Sequence, residues 1–219
     1  MATVAADPAH QQSLYLWEEG NVPAVTEYTE NPSGRYFDGP DFRPYIVTFP
    51  VPEGTEVKGA VLICAGGAFQ YRSDENEGTP AAQALSELGY QSFVVNYRLR
   101  PYTQEEGALD LARAVRFVRQ NAEAYGVEPD DIAVMGFSAG GILAGEMPLH
   151  WDGLVGGSEL NPDYVPDALD GVSADADAVE AAGVSVERVE RMGMPHGFGV
   201  QGGWPTVYDQ WLTTQFISS

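Results

Sequence analysis

Three short stretches combine residue types and spacings that could do chemistry. The first is Ile132-Ala133-Val134-Met135-Gly136-Phe137-Ser138-Ala139-Gly140-Gly141. An apolar run leads to a serine with glycine two places away on either side, and small residues follow. Between a strand and a helix, that G-x-S-x-G pattern is a nucleophile elbow. The sharp turn would lift the Ser138 hydroxyl above the sheet. Gly136 and Gly140 would be required there because a Cβ atom would collide. The Ala139 N–H, at a helix start, would be free to hold a developing oxyanion. The plain alternative is a Gly/Ser turn entering a helix.

The second stretch is Val61-Leu62-Ile63-Cys64-Ala65-Gly66-Gly67-Ala68-Phe69, a buried-type strand running into a glycine-rich loop. A loop after an early strand is where a hydrolase with such an elbow places its second oxyanion donor, here Gly67 or Ala68. The third is Met194-Pro195-His196-Gly197-Phe198, with His196 on a turn. The alternating segment Val184-Ser185-Val186-Glu187-Arg188-Val189 before it reads as a short strand. The chain order is therefore oxyanion loop, serine, histidine.

On these residues the chain resembles the α/β-hydrolase superfamily, and within it the small bacterial acetyl xylan and feruloyl esterase-like carbohydrate esterases. The matching segments are Cys64 to Phe69, Asn76-Glu77-Gly78-Thr79-Pro80, Val95-Asn96-Tyr97-Arg98-Leu99, Gly136 to Gly141 and His196-Gly197-Phe198. They span most of residues 40–150 and 180–217. One departure is Ala68, where such relatives often carry a third glycine. A backbone N–H survives that change.

These segments need a scaffold, and the sequence supplies one. A chain of 219 residues with 44% hydrophobic content is expected to form a single domain with a real core. Arg43 to Pro50, Lys58 to Cys64, Gln91 to Tyr97 and Ile132 to Phe137 read as strands. Thr79-Pro80 reads as an N-cap followed by proline at the first helical position, with the helix running to about Leu88 and stopping at Gly89. Glu105 to Tyr125 is the clearest helix. Leu111, Val115, Val118 and Ala122 form its apolar stripe, Arg113, Arg116 and Arg119 its solvated side, and Gly126 its stop. Trp204 to Ile217 reads as a final helix with Val207, Trp211 and Gln215 turned inward. Residues 1–40 read as an irregular arm anchored by Leu14-Tyr15-Leu16-Trp17. The alternation implies an α/β fold: a mostly parallel sheet with helices on both faces.

Composition narrows the partners. There are 32 acidic residues against 11 Lys and Arg, a formal net charge of −21. That balance argues against nucleic acid or an anionic membrane. It would also repel anionic substrates, whereas a neutral ester such as an acetylated sugar would feel no such penalty. No apolar run approaches the ~18 residues of a membrane helix. The start, Met1 to Asp7, has neither a basic nor an apolar region, so the expectation is a cytoplasmic protein without a signal peptide. The one cysteine, Cys64, sits in an apolar strand and reads as a small buried hydrophobe. His10, His150 and His196 form no metal-ligand spacing, so no metal and no cofactor are expected.

The pattern breaks between Trp151 and Gly183. A strand plus crossover helix takes ~30 residues, and the family pattern has two such units here, one carrying the triad acid. This stretch holds Gly153, Gly156, Gly157, Pro162 and Pro166 and no strand-like run. The fold is therefore expected to be shortened after the helix that follows Ser138, leaving a sheet edge that invites a homodimer. Asp177, just before the helix-like Ala178 to Gly183, is the candidate acid. Asp175 is the runner-up, and Asp163, Asp167 and Asp170 are weaker. Two solvated loop aspartates are the plain alternative.

The expected function is a serine carboxylic-ester hydrolase acting on small neutral esters, with acetylated xylan oligosaccharides as the sugar-ester candidates. Ser138 would be the nucleophile, His196 the base, and Gly67, Ala68 and Ala139 the oxyanion donors. The rival is a non-catalytic, hydrolase-derived binding domain with an incomplete triad.

Overall fold

The computed structural model describes residues 7–30, 38–149, 180–181, 186–189 and 191–216. Five strands form one sheet: β1 (Ser13–Tyr15), β2 (Tyr45–Phe49), β3 (Gly59–Cys64), β4 (Tyr90–Asn96) and β5 (Ile132–Gly136). Their order is β1-β2-β4-β3-β5. The helices are α1 (Thr79–Glu87), α2 (Gln104–Gln120), α3 (Ala122–Tyr125), α4 (Ala139–Leu149) and α5 (Trp204–Phe216). A π-helical turn, Asp74–Gly78, runs straight into α1. None of the described helices is long and apolar enough to cross a membrane.

The sheet is mixed. β3 pairs parallel with β4 on one side and β5 on the other, whereas β1–β2 and β2–β4 are antiparallel. The parallel part is thus the half that carries the crossover helices and the site. Strand periodicity divides the core between two faces. Ala60, Leu62 and Cys64 of β3 join Phe93, Val95, Leu111, Val115, Val118 and Leu143 under α2 and α4. Val61 and Ile63 face the other way, with Ala81, Leu85 and Leu212 under α1 and α5. β3 and β4 are buried on both faces, which explains the continuous apolar run of β3, while β4 also buries the polar Gln91, Ser92 and Asn96. Cys64 is free and buried in this core, which pushes its thiol pKa up.

Four sequence expectations are corrected. The N-terminal arm is not wholly irregular: Ser13–Tyr15 adds an edge strand to β2, with Leu14 and Leu16 buried beneath. Residues 186–189 are irregular rather than a strand, and Val189 is largely exposed. Alternation alone makes no strand without a neighbour to complete its ladder. In α5, Gln215 is exposed and Leu212 is the buried residue; Trp204, Tyr208 and Phe216 pack with it at four-residue spacing, and Trp211 packs against the same core as expected. The long helix read as Glu105 to Tyr125 is broken at Asn121 into α2 and α3 and closed by Gly126 in the left-handed region.

A buried ionic cluster clips the arm to α2. Arg98 donates from Nε to Asp110 Oδ2 at 2.9 Å and from Nη2 to Oδ1 at 3.0 Å, and its Nη1 donates to the Pro23 carbonyl. Trp17 Nε1 donates to Asp110 Oδ1 at 2.9 Å. Glu106 completes a capping box with Thr103 and also accepts from the Val25 N–H at 2.8 Å. Burial opposes ionisation of Glu106, but the N–H donors of Thr103, Thr26 and Val25 outweigh it and hold its pKa below the usual carboxylate value. Removing Arg98 would strand Asp110 as an uncompensated buried charge. Arg98→Ala is therefore expected to cost about 3–5 kcal/mol in denaturant melts. A loss below about 1 kcal/mol would mean that the cluster is not coupled to folding.

Candidate active site

The site begins where β5 ends. The Phe137 N–H donates to the Cys64 carbonyl at 3.0 Å, extending the ladder one residue past the strand. The chain then turns: Gly140 N–H donates to the Phe137 carbonyl at 2.8 Å, and Ile142 N–H to the Ser138 carbonyl at 3.1 Å. Ser138 sits at the apex with φ +50°, in the left-handed region. For a non-glycine residue this costs about 1–3 kcal/mol and persists only where its surroundings impose it. The imposition is visible. A Cβ on Gly136 would strike the Gly140 backbone, and one on Gly140 would strike the Cys64 carbonyl. The turn closes this tightly only with glycine at both places.

His196 Nε2 lies 3.0 Å from Ser138 Oγ, across a sequence separation of 58 residues, with both side chains open to solvent. The turn carrying His196 is set by Gly197 (φ +72°) and Gly199 (φ +57°). α5 anchors it: Trp204 Nε1 donates to the Gly199 carbonyl at 2.7 Å. The Trp204 ring packs edge-on against Phe137, 5.9 Å between centroids, so one side chain braces both the histidine turn and the elbow. Acceptance of the Ser138 proton by Nε2 requires the tautomer with hydrogen on Nδ1.

The loop after β3 passes directly beside the elbow. A Cβ on Gly66 would lie 2.7 Å from the Phe137 carbonyl and 2.8 Å from Ser138 Cβ. Four of its carbonyls are engaged. Ala65 accepts from Tyr97 Oη at 2.6 Å. Gly66 accepts from Ser73 N–H at 2.8 Å, Gly67 from Gln70 N–H at 3.0 Å, and Phe69 from Arg100 N–H at 2.9 Å. A peptide unit is planar with C=O and N–H opposed. Fixing the Gly66 and Gly67 carbonyls therefore aims the N–H groups of Gly67 and Ala68 the opposite way. Among the described residues those two N–H groups and that of Ala139 donate to nothing. Ala68 and Phe69 both have positive φ, +55° and +57°. Glycine would adopt the Ala68 conformation without that strain.

The sequence-predicted residues divide cleanly. Ser138, His196, Gly67 and Ala68 lie on loops that meet at the elbow, with Ala139 opening α4 beside them, whereas Asp175 and Asp177 fall outside the described residues. Sequence reasoning quoted Glu77 only as part of a matching segment. It is 4% exposed, and its Oε2 accepts from Gly66 N–H at 2.7 Å. The signal available was an acidic residue beside glycine ahead of an apolar helix, which alone suggests a solvated turn. An arrangement of hydroxyl, imidazole and unpaired amide donors can perform acyl transfer.

Comparison with known proteins agrees with this geometry. Residues 48–152 match the BD-FAE family. An acetylxylan esterase from Xylanibacter ruminicola is 31% identical over 142 residues, 65% of this chain and 25% of that protein. Esterase LipC from Mycobacterium tuberculosis is 27% identical over 126 residues, 57% of this chain and 29% of that protein. The chain thus spans between a quarter and a third of the length of these relatives. Esterase 2 from Thermogutta terrifontis superposes with a TM-score of 0.60 at 18% identity, covering 81% of this chain and 90% of that one. The chain has the α/β-hydrolase fold, and its sequence is similar to the BD-FAE family and to an acetylxylan esterase.

Proposed function

We propose that this chain hydrolyses carboxylic esters by a serine mechanism. The observation that carries the reading is the 3.0 Å contact between His196 Nε2 and Ser138 Oγ at a left-handed elbow. Ser138 Oγ attacks the ester carbonyl as His196 takes its proton. The N–H groups of Gly67, Ala68 and Ala139 hold the tetrahedral oxyanion. His196 then protonates the departing alcohol, leaving an acyl-serine. Water adds to that acyl group, again with His196 as base, and the carboxylic acid leaves. Asp177 is proposed as the acid beside His196 on its place in the chain order alone.

The proposed substrates are small neutral esters, with acetyl groups on xylan oligosaccharides as the sugar-ester class. Support comes from the name of the Xylanibacter ruminicola relative and from the net charge of −21, which disfavours anionic substrates. One observation favours the rival, a binding domain derived from such enzymes: no carboxylate bonds to His196 among the described residues.

Turnover of p-nitrophenyl acetate together with a fluorophosphonate probe separates the two. The expected result is hydrolysis by the purified chain and a probe adduct on the peptide holding Gly136 to Gly140. Label elsewhere, or none on folded protein, sinks the esterase reading.

A further inference from the structure

The π-helical turn Asp74–Gly78 is wedged between the two loops that flank Ser138. On one side, Glu77 Oε2 accepts from Gly66 N–H at 2.7 Å and Ser73 N–H donates to the Gly66 carbonyl at 2.8 Å. On the other side lies the histidine turn. A Cβ on Gly197 would be 3.2 Å from Glu77 Oε1, and a Cβ on Gly199 would be 2.5 Å from the Asn76 carbonyl. One carboxylate therefore binds the loop of Gly66 to Ala68 through Oε2 and leaves Oε1 beside the turn of His196 and Gly197.

We infer that Glu77 is a positioning residue that fixes the oxyanion loop where it faces the histidine turn; this rests on the ester-hydrolase reading above. The peptide between Ala65 and Gly66 has its carbonyl held by Tyr97 Oη and its N–H by Glu77. With both ends fixed, its plane cannot rotate, and the next two peptides inherit that orientation. Those peptides carry the unpaired N–H groups of Gly67 and Ala68. A buried carboxylate is a costly acceptor, but its bond to a backbone N–H is charge-assisted and stronger than a neutral one. Such strength suits a loop that must hold two consecutive non-glycine residues, Ala68 and Phe69, at positive φ. Oε1 lies where a Cβ on Gly197 would come within 3.2 Å of it, so the carboxylate limits how closely the histidine turn can approach that loop.

The test reads loop geometry and turnover separately. Exchange of the Gly66 amide is followed by NMR in the Ser138→Ala background, where no catalysis is needed. Glu77→Ala is expected to speed that exchange roughly tenfold or more, the loss of a hydrogen bond to a charged group. Glu77→Gln retains an acceptor of the same reach and is expected to stay within about fivefold of the parent. With Ser138 present, Glu77→Ala is expected to lower kcat about 10²-fold, the effect of a small misplacement of reacting groups. KM should change less than about threefold, since ground-state binding is untouched. Glu77→Gln should recover most of that kcat.

If Glu77→Ala folds with Gly66 exchange and kcat unchanged, the inference is overturned. A folded Glu77→Gln as impaired as Glu77→Ala also overturns it, because geometry would then not be what Glu77 supplies. Should the parent chain show no Ser138-dependent turnover while Gly66 exchange still follows Glu77, the ester-hydrolase reading fails and the loop lock stands.

Discussion

Ser138→Ala is expected to abolish ester turnover, lowering kcat by about 10⁶ if the triad is complete. His196→Ala should cost about as much, because nucleophile and base act as one unit and neither is useful alone. The contact that couples them is the 3.0 Å approach of Nε2 to Oγ. Stability should move differently. Ser138 holds φ +50°, and alanine keeps that left-handed strain, so Ser138→Ala should melt with the parent chain. Ser138→Gly removes the same hydroxyl and relieves a Cβ clash of roughly 1–2 kcal/mol. The larger chain entropy of glycine takes back about 0.5–1 kcal/mol. Ser138→Gly should therefore be inactive yet melt no lower than Ser138→Ala. Retained Ser138-independent turnover in both would move the chemistry to another group. A much lower melting temperature for the glycine variant would deny that the elbow is strained.

Much of the positioning scaffold was legible because it is written in local patterns. The run that became β3 is apolar over its whole length, as a strand covered on both faces demands, and β4 and β5 carry apolar stretches in Phe93 to Val95 and Ile132 to Met135. The elbow was legible for a steric reason: only Gly136 and Gly140 permit the turn, so the motif is the turn. What stayed hidden depends on contacts distant in sequence. β1 is three residues long amid prolines and becomes a strand only because β2 offers a ladder. The segment ending at Val189 alternates as a strand does, but among the described residues no neighbour completes its ladder. In α5 both Leu212 and Gln215 fit a helical stripe, and only the placement of α1 and β5 decides between them. Glu77 was invisible as a site residue because its partners lie 11 residues back, at Gly66, and far ahead, at Gly197.

Asp177→Asn is expected to lower turnover by about 10⁴, the cost of losing a triad carboxylate from an otherwise intact pair. The argument starts at His196. Its Nε2 faces Ser138; to accept the serine proton there the ring must carry its hydrogen on Nδ1, and that transfer makes the ring a cation. A carboxylate at Nδ1 fixes that tautomer and stabilises that cation. On this fold the acid follows the serine and precedes the histidine in the chain. Asp177 stands there, and Glu180 and Ala181 just beyond it are helical, as the residues after such an acid would be. Asp175→Asn should change the rate less than about threefold, an indirect effect of one solvated charge. The residual activity of Asp177→Asn should favour esters with acidic alcohols, whose departure needs little proton donation from His196. Equal, small effects of both substitutions would remove Asp177 from the mechanism and place the carboxylate elsewhere in the chain. Rates falling together in both would instead point to a shared loss of fold, which melting of the two variants would reveal.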